Sequence, residues 1–171
     1  RRLGEHGEQL AGVLSGLHGI RQVSFVTHSL GGPVVRAALA RSDALPEGVS
    51  LGRVVMRAPP SRGAEMARVA RSVLPFAAVF GPALRDLAGD LAELPPPPCA
   101  FGLVAGSSRG GKGVNPLLPG DDDGVVSVDE TALAGAADTL LVEGLHTFLM
   151  EAPEVVEACL AFLAEGRFAP E

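Results

Sequence analysis

Four short apolar runs, Val23–Thr27, Leu51–Arg57, Cys99–Ala105 and Thr139–Val142, constrain this chain most, because the stretches between them are far too long for hairpin turns. Strands spaced in this way pair through crossovers, and crossovers place them parallel. The first run, Val-Ser-Phe-Val-Thr, has the β-branched and aromatic character of a strand buried on both faces. Helical segments fill the intervals. Glu5–Leu17 carries Leu10, Val13, Leu14 and Leu17 on one predicted face, and Pro33–Arg41 reads as a helix with proline in its first turn. Ala64–Leu74 and Pro82–Leu91 read as two more, and Pro95–Pro98 as an extended linker. Pro153–Ala164 closes the series, with an apolar set of Val155, Val156, Cys159, Leu160 and Leu163. The expected fold class is α/β, a mostly parallel sheet of about four strands with helices on both faces, and residues 1–171 are read as a single domain.

Composition sets limits on partners. The 171 residues are 47% hydrophobic and 20% charged, with a net charge of −6, a globular balance that offers no basic stripe for nucleic acid. No apolar run approaches the ~20 residues of a membrane span. The longest, Val73–Leu84, is broken by Pro75, Gly81 and Pro82. The polar start does not read as a signal peptide, and the first residue is not Met, which leaves localisation open. Cys99 and Cys159 sit among apolar neighbours and read as small buried hydrophobes, not as a disulfide or a zinc site.

Chemistry enters at Thr27-His28-Ser29-Leu30-Gly31, which lies where the first strand turns into a helix. A tight strand–turn–helix bend lifts the Ser29 hydroxyl above the carboxyl edge of the sheet. It also leaves the Leu30 backbone N–H at a helix N-terminus, where a developing oxyanion is stabilised. Gly31 and Gly32 allow strand and helix to approach closely. Thr27 stands where such a motif commonly has glycine.

A serine nucleophile needs a base and a carboxylate that orients it. His6 and His18 precede the serine and are expected to be solvated, and His28 leaves the bend in a different direction from Ser29. His146, just after the fourth strand, is then the candidate base. Asp121, Asp122 and Asp123 share one loop, and Asp123 is the candidate acid because Gly124-Val125-Val126 can anchor it in a tight turn. Asp121 and Asp122 are read as solvated. The alternating spacing of a calcium loop is missing even with Asp129 nearby, so no metal is expected.

Three segments together resemble bacterial α/β-hydrolase-fold esterases and lipase-like proteins: VTHSLGGPVVRAAL, LGRVVMRAPPSRGAE and PGDDDGVVSVDETALAGAADTLLVEGLHTFLM. The resemblance runs from Val23 to about Arg167, with Asp123 and His146 separated by 23 residues. It implies an esterase-like hydrolase acting through Ser29, Asp123 and His146, with a small ester or acyl substrate and no cofactor. Thr147-Phe148-Leu149 replace the aspartate that calcium-binding lipases carry after the histidine, so that site is not carried over. Nothing in the 28 residues before Ser29 resembles the family's His-Gly oxyanion segment. The expectation is therefore the C-terminal portion of such a domain, a weak catalyst alone. Its first strand would be an exposed apolar edge able to pair with another chain. Acyl transfer to acceptors other than water, a non-catalytic acyl-binding module and an incomplete fragment remain as alternatives.

Overall fold

The computed structural model describes residues 3–63, 91, 93–108 and 110–168. The two helices read at Ala64–Leu74 and Pro82–Leu91 fall outside them, apart from Leu91. The described elements are α1 (Leu3–Ser15), β1 (Gln22–His28), α2 (Gly31–Leu39), β2 (Ser50–Arg57), β3 (Phe101–Ser107), α3 (Val128–Thr131), β4 (Asp138–Glu143) and α4 (Pro153–Glu165). The four strands form one parallel sheet in the order β1-β2-β3-β4. The short α3, capped by the Ser127 hydroxyl accepting from the Glu130 N–H, has no counterpart in the sequence reading.

Alternation along the central strands divides the core in two. Val54 and Met56 of β2 and Phe101 and Leu103 of β3 pack with Val35 and Leu39 of α2 on one face. Val55 and Val104 face the other way, onto Val155, Cys159 and Phe162 of α4. Burial on both faces is what a sheet joined by crossovers requires. β1 ends the strand order among the described residues, and Val26 on it is 41% exposed.

Two helix faces differ from expectation. In α1 the buried residues are Leu3, Gly7, Ala11 and Leu14, while Val13 is 65% exposed. The reason is close packing on α2: a Cβ at Gly7 would lie 2.9 Å from the Ala37 Cβ. Small residues mark the closest approach there, beside the expected Leu10 and Leu14. In α4, Val156 and Leu160 are exposed and Phe162 is buried, because Phe162 fills the space over Gly102 of β3. Cys159 is buried and Cys99 half-buried, both as free thiols. Among the described residues no helix is long and apolar enough to cross a membrane.

Candidate active site

All four strands run the same way, so the segments that follow them emerge at one edge. Ser29 follows β1, the Asp121–Gly124 turn lies beyond β3, and His146 follows β4. Ser29 has a φ of 53°, in the left-handed region that non-glycine residues seldom occupy. Its N–H donates to the Arg57 carbonyl (2.8 Å) and its carbonyl accepts from the Gly32 N–H (3.1 Å), so the bend is pinned to β2 and to α2. The cost of that backbone is of order 1–3 kcal/mol and persists only where surroundings enforce it.

Glycines make the bend possible. A Cβ at Gly32 would lie 2.9 Å from the Pro59 Cβ and 3.3 Å from the Met56 sulfur. A Cβ at Gly31 would meet the Thr27 Cβ at 3.2 Å. Thr27 therefore fits where a smaller residue is usual, and its hydroxyl donates to the Val55 carbonyl at 3.4 Å. The residue at the N-terminus of α2 is Leu30, and no side chain caps it.

The acid turn is built from its own backbone. The Asp123 Oδ1 accepts from the N–H groups of Val125 (3.0 Å) and Val126 (2.8 Å). Its Oδ2 lies 2.8 Å from the His146 Nδ1, and both side chains are buried. The Asp123 carbonyl also accepts from the His146 N–H at 2.9 Å. One residue thus grips the histidine by ring and by backbone. A carboxylate accepts only, so the proton on this ring sits on Nδ1 and Nε2 is the basic nitrogen.

Asp121 and Asp122 are not solvated bystanders. The Asp121 Oδ1 accepts from the Ser108 N–H (2.9 Å), the Ser108 hydroxyl (2.8 Å), the Gly113 N–H (3.2 Å) and the Asp122 N–H (3.0 Å). Its hydrogen bond from the Ser108 N–H leads the causes that hold its carboxyl below the usual range; burial opposes them. Asp122 is fully buried and accepts from the N–H groups of Asn115 (3.0 Å) and Gly124 (2.7 Å). Gly113 has to be glycine, since a Cβ there would fall 2.1 Å from the Asp122 Oδ2. Among the described residues no group of three or more His, Cys, Asp or Glu is arranged to hold a metal ion.

The sequence reading missed what His28 does. Its Nε2 is 2.9 Å from the His146 carbonyl oxygen, and the two rings lie 4.6 Å apart at a tilt of 50°. His18 is exposed after α1, and His6 is half-buried within it. Arg57 was also missed: its Nε–H donates to the Thr27 carbonyl (3.2 Å) and its guanidinium to the Met150 carbonyl (2.9 Å). The only advance signal for either is their position at the carboxyl ends of β1 and β2, where they are register partners.

A parallel sheet with a left-handed serine at its carboxyl edge and a bonded Asp–His pair at that same edge invites comparison with solved structures. A lipase from Bacillus licheniformis, BlEst2 in its mature form, matches with a TM-score of 0.70 and 19% identity, covering 97% of this chain and 75% of that one. The lin2722 gene product of Listeria innocua matches with a TM-score of 0.57 and 17% identity, covering 96% and 67%. This is an α/β-hydrolase fold. No protein-family model and no curated protein matches the sequence. The α/β-hydrolase framework explains why residues so distant in sequence share one edge, and it agrees with the resemblance carried by the three sequence segments.

Proposed function

We propose that this chain carries the acyl-transfer centre of a serine hydrolase acting on carboxylic esters, with Ser29 as nucleophile, His146 as base and Asp123 as the carboxylate that orients it. The observation that carries the reading is the buried Asp123–His146 pair at the sheet edge where Ser29 holds its left-handed bend. The Ser29 hydroxyl attacks the ester carbonyl while the His146 Nε2 takes its proton. The Leu30 N–H, at the uncapped start of α2, donates to the oxyanion. His146 returns the proton to the leaving alcohol as the tetrahedral intermediate collapses. It then takes a proton from water as the water oxygen attacks the acyl carbon. The second intermediate collapses by breaking the bond to the Ser29 oxygen, which regains its proton from His146 as the acid leaves. Leu145 and Phe148 flank the histidine as exposed apolar residues, which favours an ester with an apolar acyl group.

A fluorophosphonate probe tests this directly. The parent chain should label covalently, and Ser29→Ala and His146→Ala should not. A folded parent that stays unlabelled would overturn the reading in favour of a non-catalytic use of the fold. Competing alcohols and amines in the ester assay would show whether water is the acceptor.

A further inference from the structure

We propose that His28 is a positioning residue: its Nε2–H donates to the His146 carbonyl and fixes the histidine loop against the bend that carries Ser29. The inference rests on the acyl-transfer reading above and adds to it the element that joins its two halves. A carbonyl can only accept, so the 2.9 Å contact places a proton on the His28 Nε2. His28 is the last residue of β1, paired in register with Arg57, and the next N–H, that of Ser29, donates to the Arg57 carbonyl. The donor is therefore covalently continuous with the nucleophile and shares its support. A shift of the histidine loop relative to Ser29 has to break or stretch this bond.

Three contacts meet on His146. Asp123 holds the ring Nδ1 and the backbone N–H; His28 holds the carbonyl, and its ring lies beside the His146 ring, 4.6 Å away. Asp123 sets the direction of the imidazole, but it belongs to the acid turn that follows β3. His28 is the contact that comes from the nucleophile's own strand. Arg57 adds a second tie from the sheet, to Met150, four residues beyond the histidine.

The charge state suits this role. Burial first, then the neighbouring His146 and, more weakly, Arg57 push the His28 imidazole below its usual range; the hydrogen bond to His146 and the Asp123 carboxylate oppose this. A neutral imidazole donates without adding a second cation beside His146 when that ring takes the serine's proton. A permanent cation at the same place would oppose each proton transfer.

The test compares His28→Ala, which removes the donor, with His28→Gln, whose side-chain amide can reach the same carbonyl. Ester turnover, KM, fluorophosphonate labelling rate, thermal midpoint and the far-downfield proton resonance of the His146–Asp123 hydrogen bond are measured on each full chain. His28→Ala should lose about 10²-fold in kcat, the scale of a ~1 Å misplacement, with KM nearly unchanged. Its downfield resonance should shift or broaden, and His28→Gln should recover most of both. Full turnover and an unchanged resonance in His28→Ala would overturn the proposal. So would a His28→Gln that keeps the parent's thermal midpoint yet stays as impaired as His28→Ala. If the parent shows the resonance but never labels, the acyl-transfer reading fails. The resonance in the two variants then still decides whether His28 positions His146.

Discussion

The carboxylates of the acid turn at residues 121–127 are held mostly by chain close in sequence, whereas the histidine loop at residues 144–152 is tied to its surroundings by residues far away in sequence. In the turn, three successive carboxylates accept from N–H groups no more than 13 residues away, and the chain between them supplies nearly every donor. The histidine loop closes backbone turns of its own at Leu145 and Phe148, but its ties to the rest of the edge come from Asp123, His28, Arg57 and the Ser107 carbonyl, all distant in sequence. A locally closed turn can reach its shape early and keep it when its neighbours move. A loop fastened by long-range contacts has its geometry only when the whole edge is assembled. His146, the proposed base, sits on the second kind, and its ring is oriented by the first.

The largest expected effect comes from altering the aim without disturbing the turn. In Asp123→Asn the amide oxygen can still accept from Val125 and Val126, while the NH2 faces the His146 Nδ1. The imidazole is then driven to its other tautomer, with Nε2 protonated and useless as a base. Turnover should fall by roughly 10⁴-fold, with a thermal midpoint near that of the parent. A large fall in the midpoint would mean that the turn depends on the histidine, and the contrast between the two loops would be broken.

Gly106 sharpens the comparison, because both loops rest on it. A Cβ there would lie 2.5 Å from the Leu149 Cδ1 of the histidine loop and 2.6 Å from the Asp123 Cβ. Gly102, on the same strand, faces Phe162 at 2.6 Å and Phe168 at 2.8 Å instead. Overpacking of this kind costs ~1–3 kcal/mol at either site. Gly106→Ala and Gly102→Ala should therefore lose similar stability in urea titrations. Turnover per folded molecule should fall in Gly106→Ala alone. Equal turnover in the two would show that the loops absorb the methyl group without moving His146.

The same distinction governs what the sequence could disclose. The strands were legible because their apolar runs are short and well separated, and the bend at Ser29 because Gly31 and Gly32 follow one residue beyond it. The choice of Asp123 followed from the Gly-Val-Val beside it, a local cue of the kind a self-closed turn provides. Asp121 and Asp122 were read as solvated, since composition cannot say that a loop rich in glycine will fold its N–H groups onto them. His28 and Arg57 were opaque for the opposite reason: their partners, His146 and Met150, lie 118 and 93 residues away. The contact face of α1 was legible at Leu10 and Leu14 but not at Gly7 and Ala11, which do there what hydrophobic bulk does elsewhere.

The smallest effect expected concerns acid sensitivity, and it separates the turn's internal bonds from the one it makes to His146. The Asp121 carboxyl is held below its usual range, first by the Ser108 N–H, with further donation from the Ser108 hydroxyl, Gly113 and Asp122. A carboxyl whose folded value lies below its unfolded one adds stability that is fully present above the unfolded pKa, about 3.9 for aspartate. That contribution drains away as pH falls through the folded value. Asp121→Asn should accordingly be less stable than the parent at pH 6, with a gap that narrows as the pH is taken below about 4. Urea midpoints at a series of pH values would show this. A gap that stays constant down to pH 3 would place the value of Asp121 in its shape rather than its charge, and the turn would then be held by geometry that an amide reproduces.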